Sequence, residues 1–478
     1  MPNLNLQLLS SQDIQAIHDT SLKILRDVGM RIHHAGVIER LAAAGAFVDP
    51  YTMIVRFSEE QVAEALEMTG KRFVVRGRDH ERVARYGYGE VNLISSPGQY
   101  GWFDHHGGPR RAPVLQDTIH AARVGEALSN VTIVGAMTAP VDVPDPIRDV
   151  VLTAELVKHT AKPTRAWPVS RRSSRYVLEI YALLAGGREA MRQTPMTDTF
   201  LEPISPLQLP ETGLDVMLEF LEYGQPVSIG PMSMVAGTGP ATLAGNLAQE
   251  NAEILGGIVT VQMLAPGTPV VYGGIPHILD PRTSICSFGS PEQGLMAVAM
   301  AQIGKSYGLP VYVNVNLTDA KTLDAQAGME KIGSLLLGML AGADLMGHAG
   351  ILGTDHGGSL SWLVADHEAV AFARRILRGF DVNEDTLAYP VIAGVGPGGN
   401  YLSLEHTVRN FRKELWIPGR LWERDSYDAW TERGSLTMEQ RAAARVDQIL
   451  ASPPPPPLDP ALEGEIERIV EAAKRELL

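Results

Sequence analysis

An α/β barrel of parallel strands, each followed by a helix, is the fold class this sequence predicts, on three observations. From Val131 onward short apolar runs rich in β-branched residues recur, among them "VTIVGAMTAP", "PTRAWPVS", "TDTFLEPISPLQ", "PVSIGPMSMVAG", "PVVYGGIPHILD", "PVYVNVNLTD", "ADLMGHAGIL" and "YPVIAGVGPGG". Helical patterns such as "IRDVVLTAELVKHT", "SRYVLEIYALLAG" and "SPEQGLMAVAMAQIGKSYG" lie between them, so parallel strands are joined by helical crossovers. The repeats number about eight, which suits a closed TIM-type (β/α)8 barrel. A doubly wound sheet would instead want a Gly-rich phosphate loop after an early strand, and "GVGPGGN" comes late and carries Pro397.

The elements before the barrel read as a cap over residues 1–115. "SSQDIQAIHDTSLKILRDVGMRI" and "HAGVIERLAAAGAFVD" place apolar residues at helical spacing. "RFVVRGRDHERVARYGYGEVNLISSPGQYGWFD" alternates apolar and polar residues between turn signals, as a small antiparallel piece would. The barrel is expected over 116–420. An extension over 421–478 follows, with the stiff spacer "SPPPPPLDP" and a final helix whose Ile466, Ile469, Val470 and Leu477 form an apolar stripe. That stripe suits a partner subunit or the chain's own barrel equally.

Composition narrows the function. An apolar share of 45% with 20% charged residues is that of a globular protein, and a net charge of −14 disfavours nucleic acid, which needs a clustered Lys/Arg face. The single cysteine, Cys286, excludes an internal disulfide and a multi-thiolate zinc site, and reads as a buried small hydrophobe. The chain starts "MPNLNLQLLSSQDIQ", without a secretory signal pattern. Its longest apolar region, "ILGGIVTVQMLAPGTPVVYGGI", is broken by Gln262, Pro266 and Pro269, so a cytoplasmic protein without a membrane span is expected.

A barrel active site lies at the C-terminal strand ends, which points to Met137, Arg165, Trp167, Glu202, Gln208, Met232, His277, Asn314, Asn316, Asp319, Lys321 and His348. No His-x-x-x-His or His-x-Glu pattern occurs among them and no Gly-x-Ser-x-Gly elbow, so neither a metal nor a serine nucleophile is expected. His105 and His106 in "GWFDHHGG" read as a hydrated turn. The aromatic residues Tyr100, Trp102, Phe103, Trp167, Tyr272 and Phe288, with Met137, Met232 and Met234 at strand ends, together suit a pocket for an apolar or cationic small molecule. Because the loop carrying Tyr100 and Phe103 precedes the expected barrel, it would have to fold over the mouth as a lid. Arg165 is a candidate partner for a substrate carboxylate, though an ion-paired arginine explains it as well. His348 is either a site residue at the mouth or a histidine bonded to loop backbone.

The segments "LEPISPLQL", "GTGPATLAGNLAQENAEILGGIVTVQMLAPGTPVVYGG", "GSPEQGLMAVAMAQIGKSYGLPVYV", "TDAKTLDAQAG" and "GPGGNYLSLEHTVRNFRKELW" resemble the trimethylamine methyltransferase family, corrinoid-dependent enzymes that include glycine betaine methyltransferases. The resemblance implies methyl transfer from a methylated amine to cob(I)alamin on a separate corrinoid protein, no cofactor held tightly by this chain, and a homo-oligomer. Trimethylamine-specific members carry a pyrrolysine in the segment resembling "TDAKTLDAQAG", near Ala325; here that segment has only standard residues. The departure moves the expectation to the non-pyrrolysine branch and a quaternary amine such as glycine betaine. A carnitine-like, other betaine or sulfonium donor, or a non-catalytic betaine-binding barrel, are the alternatives. On this reading Tyr100, Phe103, Arg165, Trp167, Glu202, Met232, His277 and Asn314 hold substrate. His348, flanked by Gly347 and Gly350, is catalytic: it meets the substrate carboxylate when protonated or the corrinoid when neutral. The stretch Leu309–Gly358, where Asp319, Lys321, Asp324, His348, Asp355 and His356 fall at strand ends, is then a catalytic rim without a metal.

Overall fold

The computed structural model describes residues 6–419 and 421–478; residues 1–5 of the expected cap and position 420, the last of the expected barrel segment, lie outside them. Eight short parallel strands ring a common interior. They are β1 (Asn92–Ser95), β2 (Val134–Gly135), β3 (Thr164–Arg165), β4 (Thr199–Leu201), β5 (Val227–Ile229), β6 (Val270–Gly274), β7 (Val311–Asn314) and β8 (Leu345–Ala349). Parallel ladders join β4 to β5, β5 to β6, β6 to β7, β7 to β8 and β8 back to β1. A parallel bridge between Ile94 and Ile133 leads from β1 to β2, and β2 pairs with β3. Among the described residues no backbone ladder joins β3 to β4. There the ring is closed by side chains: the Arg165 guanidinium grips both carboxylate oxygens of Asp198, and Ser228 Oγ donates to Asp198 at 2.9 Å.

The strand residues are nearly all buried because helices cover the outer face, so "VVYGG" and "VYVN" read as continuous rather than alternating runs. The crossovers are α1 (Leu115–Ala127), α2 (Arg148–His159), α3 (Arg171–Ala185), α4 (Glu211–Glu222), α5 (Leu243–Leu264), α6 (Pro291–Ser306), α7 (Ala325–Leu340) and α8 (Leu360–Leu377). Their starts follow local chemistry. Ser290 caps α6 with Pro291 in its first turn, and Asp324 caps α7 by accepting from Ala327 N at 3.2 Å. The helix α5 is apolar nearly all round and buried nearly all round, since helices Ser11–Lys23 and Glu59–Met68 lie over it. No helix among the described residues is long and apolar enough to cross a membrane.

Two strand assignments differ from expectation. The first barrel strand is Asn92–Ser95, read from sequence as part of the antiparallel piece, because a four-residue run after a hairpin carries no mark of parallel pairing. "YPVIAGVGPGG", expected as a strand, contains helix Tyr389–Val395 instead. β1 already occupies the place beside β8 where a following strand would pair, and Pro390 suits the first turn of a helix.

The antiparallel hairpin Phe73–Arg76/Val83–Tyr86 plugs the N-terminal end of the barrel. Arg76 N donates to Pro195 O, Asp79 N to Ala161 O and Gly87 N to Asp344 Oδ1, all just ahead of barrel strands. Its Phe73, Val75 and Tyr86 pack with Ile94, Ile133, Val271, Tyr312 and Leu345 inside the ring. The C-terminal helices α9 (Met438–Ala451) and α10 (Pro460–Leu477) also dock on the barrel. The helix α9 lies on α8 and α1, while Ile466, Ile469, Val470 and Leu477 of α10 pack against the cluster formed with α2 and α3. The apolar stripe therefore meets the chain's own barrel.

Replacing Asp198 by Ala leaves the Arg165 charge buried and unpaired, and is expected to cost about 3–5 kcal/mol in urea unfolding at pH 7, whereas Arg165→Met with Asp198→Leu recovers most of that loss. A single variant within about 1 kcal/mol of the parent would remove the seam role of the pair.

Candidate active site

Period-two alternation on β4 aims Asp198, Phe200 and the following Glu202 at the interior, while Leu201 faces the helices. These three residues stand in successive layers from floor to mouth. Asp198 is buried with Arg165, Phe200 packs against the interior cluster, and Glu202 is half-buried above it. On β7 the same alternation stacks Tyr312 below Asn314, with Tyr312 Oη donating to Asn314 Oδ1 at 3.2 Å.

Four rings close a loop around the middle layer. Trp167 meets Phe200 edge-on at 5.9 Å between centroids, Phe200 meets Tyr312 at 5.8 Å, Tyr312 meets His348 at 6.1 Å, and His348 meets Trp167 at 6.4 Å. Three of these contacts are edge-to-face, favourable because a ring edge meets a neighbour's electron-rich face, and Tyr312 and His348 are tilted at 36°. The position of Phe200 depends on Gly230, where a Cβ would lie 2.6 Å from its Cζ. Trp167 remains 36% exposed, so the box opens toward solvent at the mouth. Met232 bridges the interior cluster and a second one of Phe288, Leu317 and Ile351.

The electrostatics of this box are set from below. Burial works against the Arg165 charge, but Asp198 outweighs it and holds the guanidinium charged. Burial, with the Arg165 charge behind it, pushes His348 down to about 3, so its imidazole is neutral at ordinary pH; its Nε2 lies 3.3 Å from Tyr312 Oη. The protonated form expected to meet a substrate carboxylate is therefore absent near neutral pH. At the mouth burial, and then the neighbouring Asp355, push Glu202 up to about 7. Asp355 is open to solvent yet crowded by protein, as on a cleft wall, and burial raises it too, against a hydrogen bond from Gln99.

Other polar groups of the rim are scaffold. Asp319 accepts from Phe288 N and Thr354 Oγ1, each at 2.9 Å, and so ties three loops together. Lys331 on α7 pairs with Asp366 on α8 at 3.0 Å; Lys331 also donates to Asn316 O, and Asp366 accepts from Gly350 N at 2.7 Å. On α5 the buried Glu250 accepts from Ile275 N and Glu253 from Leu207 N, each at 2.9 Å. These anchors hold backbone at positive φ beside the mouth, including Leu207 and Asn316 at 58° and 66°, conformations that persist only where the surroundings impose them.

The expected site residues divide accordingly. Trp167 and His348 belong to the box, and Glu202, Met232 and Asn314 stand around it. Arg165 lies in the floor with its guanidinium taken by Asp198. His277 is buried beside Phe288, its Nδ1 2.6 Å from Ile275 O, and burial lowers its basicity. Because β1 belongs to the ring, the loop with Tyr100 and Phe103 is an ordinary strand-to-helix connection at the mouth and not a lid from elsewhere. Tyr100 is 77% exposed, while Phe103 packs with Ala320, Leu323, Leu352 and Trp362, away from the four rings. A Cβ on Gly347 would meet Ile94 and Tyr312, and one on Gly350 would meet Met137, so the space both leave is filled by the barrel's own side chains. Ala325 is the exposed first residue of α7.

Phe200 and Tyr312 complete the arrangement without having been singled out, and Asp355 joins it from the rim stretch Leu309–Gly358; counting back by two from Glu202 would have found Phe200. Among the described residues one cluster has metal-ligand spacing, His105 and His106, each with Nε2 3.1 Å from Asp447 Oδ1, on the outer surface against α9. Cys286 is partly buried; burial, with Asp319 and Asp355 near it, pushes its thiol up to about 12, so it carries no thiolate.

The family description "Trimethylamine methyltransferase (MTTB)" matches residues 2–477. A glycine betaine methyltransferase from Desulfitobacterium hafniense is 32% identical over 480 residues, 100% of this chain and 98% of that protein. A trimethylamine methyltransferase from Methanosarcina barkeri is 29% identical over 487 residues, covering 99% and 96%. A solved monomethylamine methyltransferase from Methanosarcina barkeri aligns with a TM-score of 0.49 at 10% identity, over 97% of this chain and 91% of that one. With the match running through cap, barrel and C-terminal helices alike, the chain belongs to the trimethylamine methyltransferase family.

Proposed function

We propose that this chain takes a methyl group from a small quaternary amine, the class that includes glycine betaine, and passes it to the cobalt of a corrinoid carried by a partner protein. The observation that carries the reading is the four-ring box at the open end of a barrel whose other end is plugged. Aromatic faces hold a quaternary ammonium, which can donate no hydrogen bond, through their electron-rich centres. Full-length similarity to a glycine betaine methyltransferase supports the donor class.

The corrinoid would supply a strong nucleophile for the methyl carbon. Its proposed carrier is another protein; the imidazoles at the mouth are the buried His277, the half-buried His348, which is turned toward Tyr312, and the exposed His356 beside Asp355. The chain's own residues bind and orient. Trp167, Phe200, Tyr312 and His348 surround the ammonium and keep water from its inner methyl groups, leaving one N-methyl toward the mouth. When the C–N bond breaks its electron pair stays on nitrogen, and the amine departs neutral. No proton is required, in keeping with an imidazole held neutral at the site. Catalysis is by positioning. Met232, Asn314 and His277 complete the walls, Tyr100 and Phe103 form the loop beside them, and His348 is presented from β8 between Gly347 on the strand and Gly350 in the turn after it.

Mixing the protein with free cob(I)alamin and a quaternary-amine panel should yield methylcobalamin by absorbance. His348→Ala should slow transfer at least about tenfold, equivalent to about 1.4 kcal/mol, with melting nearly unchanged. Tight binding without transfer to any corrinoid acceptor would make the barrel a betaine binder, and transfer only from a sulfonium would change the donor class. Trp167→Ala should weaken ligand binding by about 1–2 kcal/mol in calorimetry. The same change at Phe103 separates a ring that touches ligand from one that supports the loop.

The cytoplasm is the proposed location, in keeping with a single cysteine. A homo-oligomer is proposed as well. Helices Glu384–Leu387, Tyr389–Val395 and Glu405–Glu414 bury none of their residues, and Phe380, Val382, Tyr389 and Leu402 nearby are 69–81% exposed. Light scattering at a multiple of 51.7 kDa is expected, and a single-chain mass would remove the proposal.

A further inference from the structure

We infer that the site prefers quaternary ammonium donors of net positive charge, such as choline or tetramethylammonium, over zwitterions with a carboxylate close to the nitrogen, because Glu202 and Asp355 stand at the mouth and, among the described residues, no lysine or arginine pairs with either. The inference rests on the quaternary-amine reading and narrows it. The cationic side chains around the barrel's open end are engaged elsewhere. Arg165 lies one layer down with its Nε–Nη2 edge on the two carboxylate oxygens of Asp198. Lys331 is buried under the β7 and β8 loops with Asp366, and Arg111 is held by Asp104 and Asp117. Arg110 and Lys321 are exposed on the outer rim, bonded to the backbone carbonyls of His356 and Asp319.

Glu202 points inward by the alternation that also places Asp198 and Phe200, which sets its carboxylate directly above the aromatic box. Among the described residues Glu202 has neither a hydrogen bond nor an ion pair, and Asp355 has the amide of Gln99 and, beside it, the imidazole of His356. A ligand whose ammonium lies among the four rings therefore brings its next atoms against these two acids. A second positive or neutral group is accepted there, and a substrate carboxylate would be the third negative charge in one cleft.

The charge arrangement also fixes the sign of a pH dependence. The groups facing Glu202 are Asp355 from the β8 loop and Tyr312 from β7, with His348 and the Arg165–Asp198 pair beneath; His356 adjoins Asp355 on the same loop, and Cys286 lies near both Asp355 and Asp319. Glu202 titrates near 7 in the free protein. A bound cation favours its ionised form, so cation affinity rises between pH 6 and 8. A bound carboxylate favours its protonated form, so zwitterion affinity falls over the same range.

Titration calorimetry of the full chain with tetramethylammonium, choline and glycine betaine, at pH 6 and pH 8, tests this. The cations should bind about tenfold or more tightly than glycine betaine at pH 8, with affinity rising with pH. Glu202→Gln should weaken cation binding about tenfold and flatten its pH dependence, while glycine betaine binding improves. Asp355→Asn should act in the same direction, and near-unchanged melting of either variant keeps the comparison valid. Tighter binding of glycine betaine, weakened or untouched by Glu202→Gln, overturns the charge preference and leaves the quaternary-amine reading standing. Failure of every quaternary amine to bind the parent protein overturns both.

Discussion

The floor of the barrel carries a guanidinium and a carboxylate that must stay together. Arg165 and Asp198 are each nearly fully buried, at 6% and 5% exposure, and either charge alone would be costly in that interior. Their pairing spans the interval between β3 and β4, where no backbone pairing joins neighbouring strands among the described residues, so it closes the ring as well as neutralising it. The same pair sets the chemistry above. Arg165 disfavours a second positive charge on His348, and because Asp198 holds the guanidinium below, neither Glu202 nor Asp355 is paired with an arginine or lysine among the described residues. An aromatic box between a neutral floor and an acidic rim follows from that one contact.

Rigidity at the mouth comes from outside the ring. Glu250 and Glu253 on α5, the Lys331–Asp366 pair on α7 and α8, and Asp319 between three loops all bind backbone amides, hydroxyls or carbonyls of the strand-to-helix connections. Burial and the nearby Glu253 raise Glu250 well above the ordinary carboxylate range, so its place behind the loop is structural. Long acidic and basic side chains on the helices thus fix the loops that carry the site, while the site itself keeps few polar groups. This division explains why Leu309–Gly358, dense in charge, contributes mainly His348, Asp355 and the inward face of β7 to the box.

The alternation of strands and helices made the barrel legible, because parallel strands covered on both faces leave unmistakable apolar runs. Its first strand escaped, since Asn92–Ser95 has four residues and follows a true hairpin, and only closure with β8 reveals its role. Trp167, Glu202 and His348 were found by their place after apolar runs. Phe200 and Tyr312 were missed because they lie inside such runs, where an aromatic residue looks like core; only strand alternation, applied residue by residue, turns them inward. Arg165 shows the reverse limit: its position was readable, but its partner lies 33 residues away on the next strand. Tyr100 and Phe103 shared one sequence motif and separated in space, one into solvent and one under a loop.

A crystal structure with a bound quaternary amine tests the central claim most directly. The nitrogen is expected within about 6 Å of the ring centroids of Trp167, Phe200 and Tyr312, with one methyl directed out of the barrel mouth. A ligand nitrogen lodged instead beside Tyr100 and Phe103, or on the outer surface with the four rings undisturbed, would contradict it.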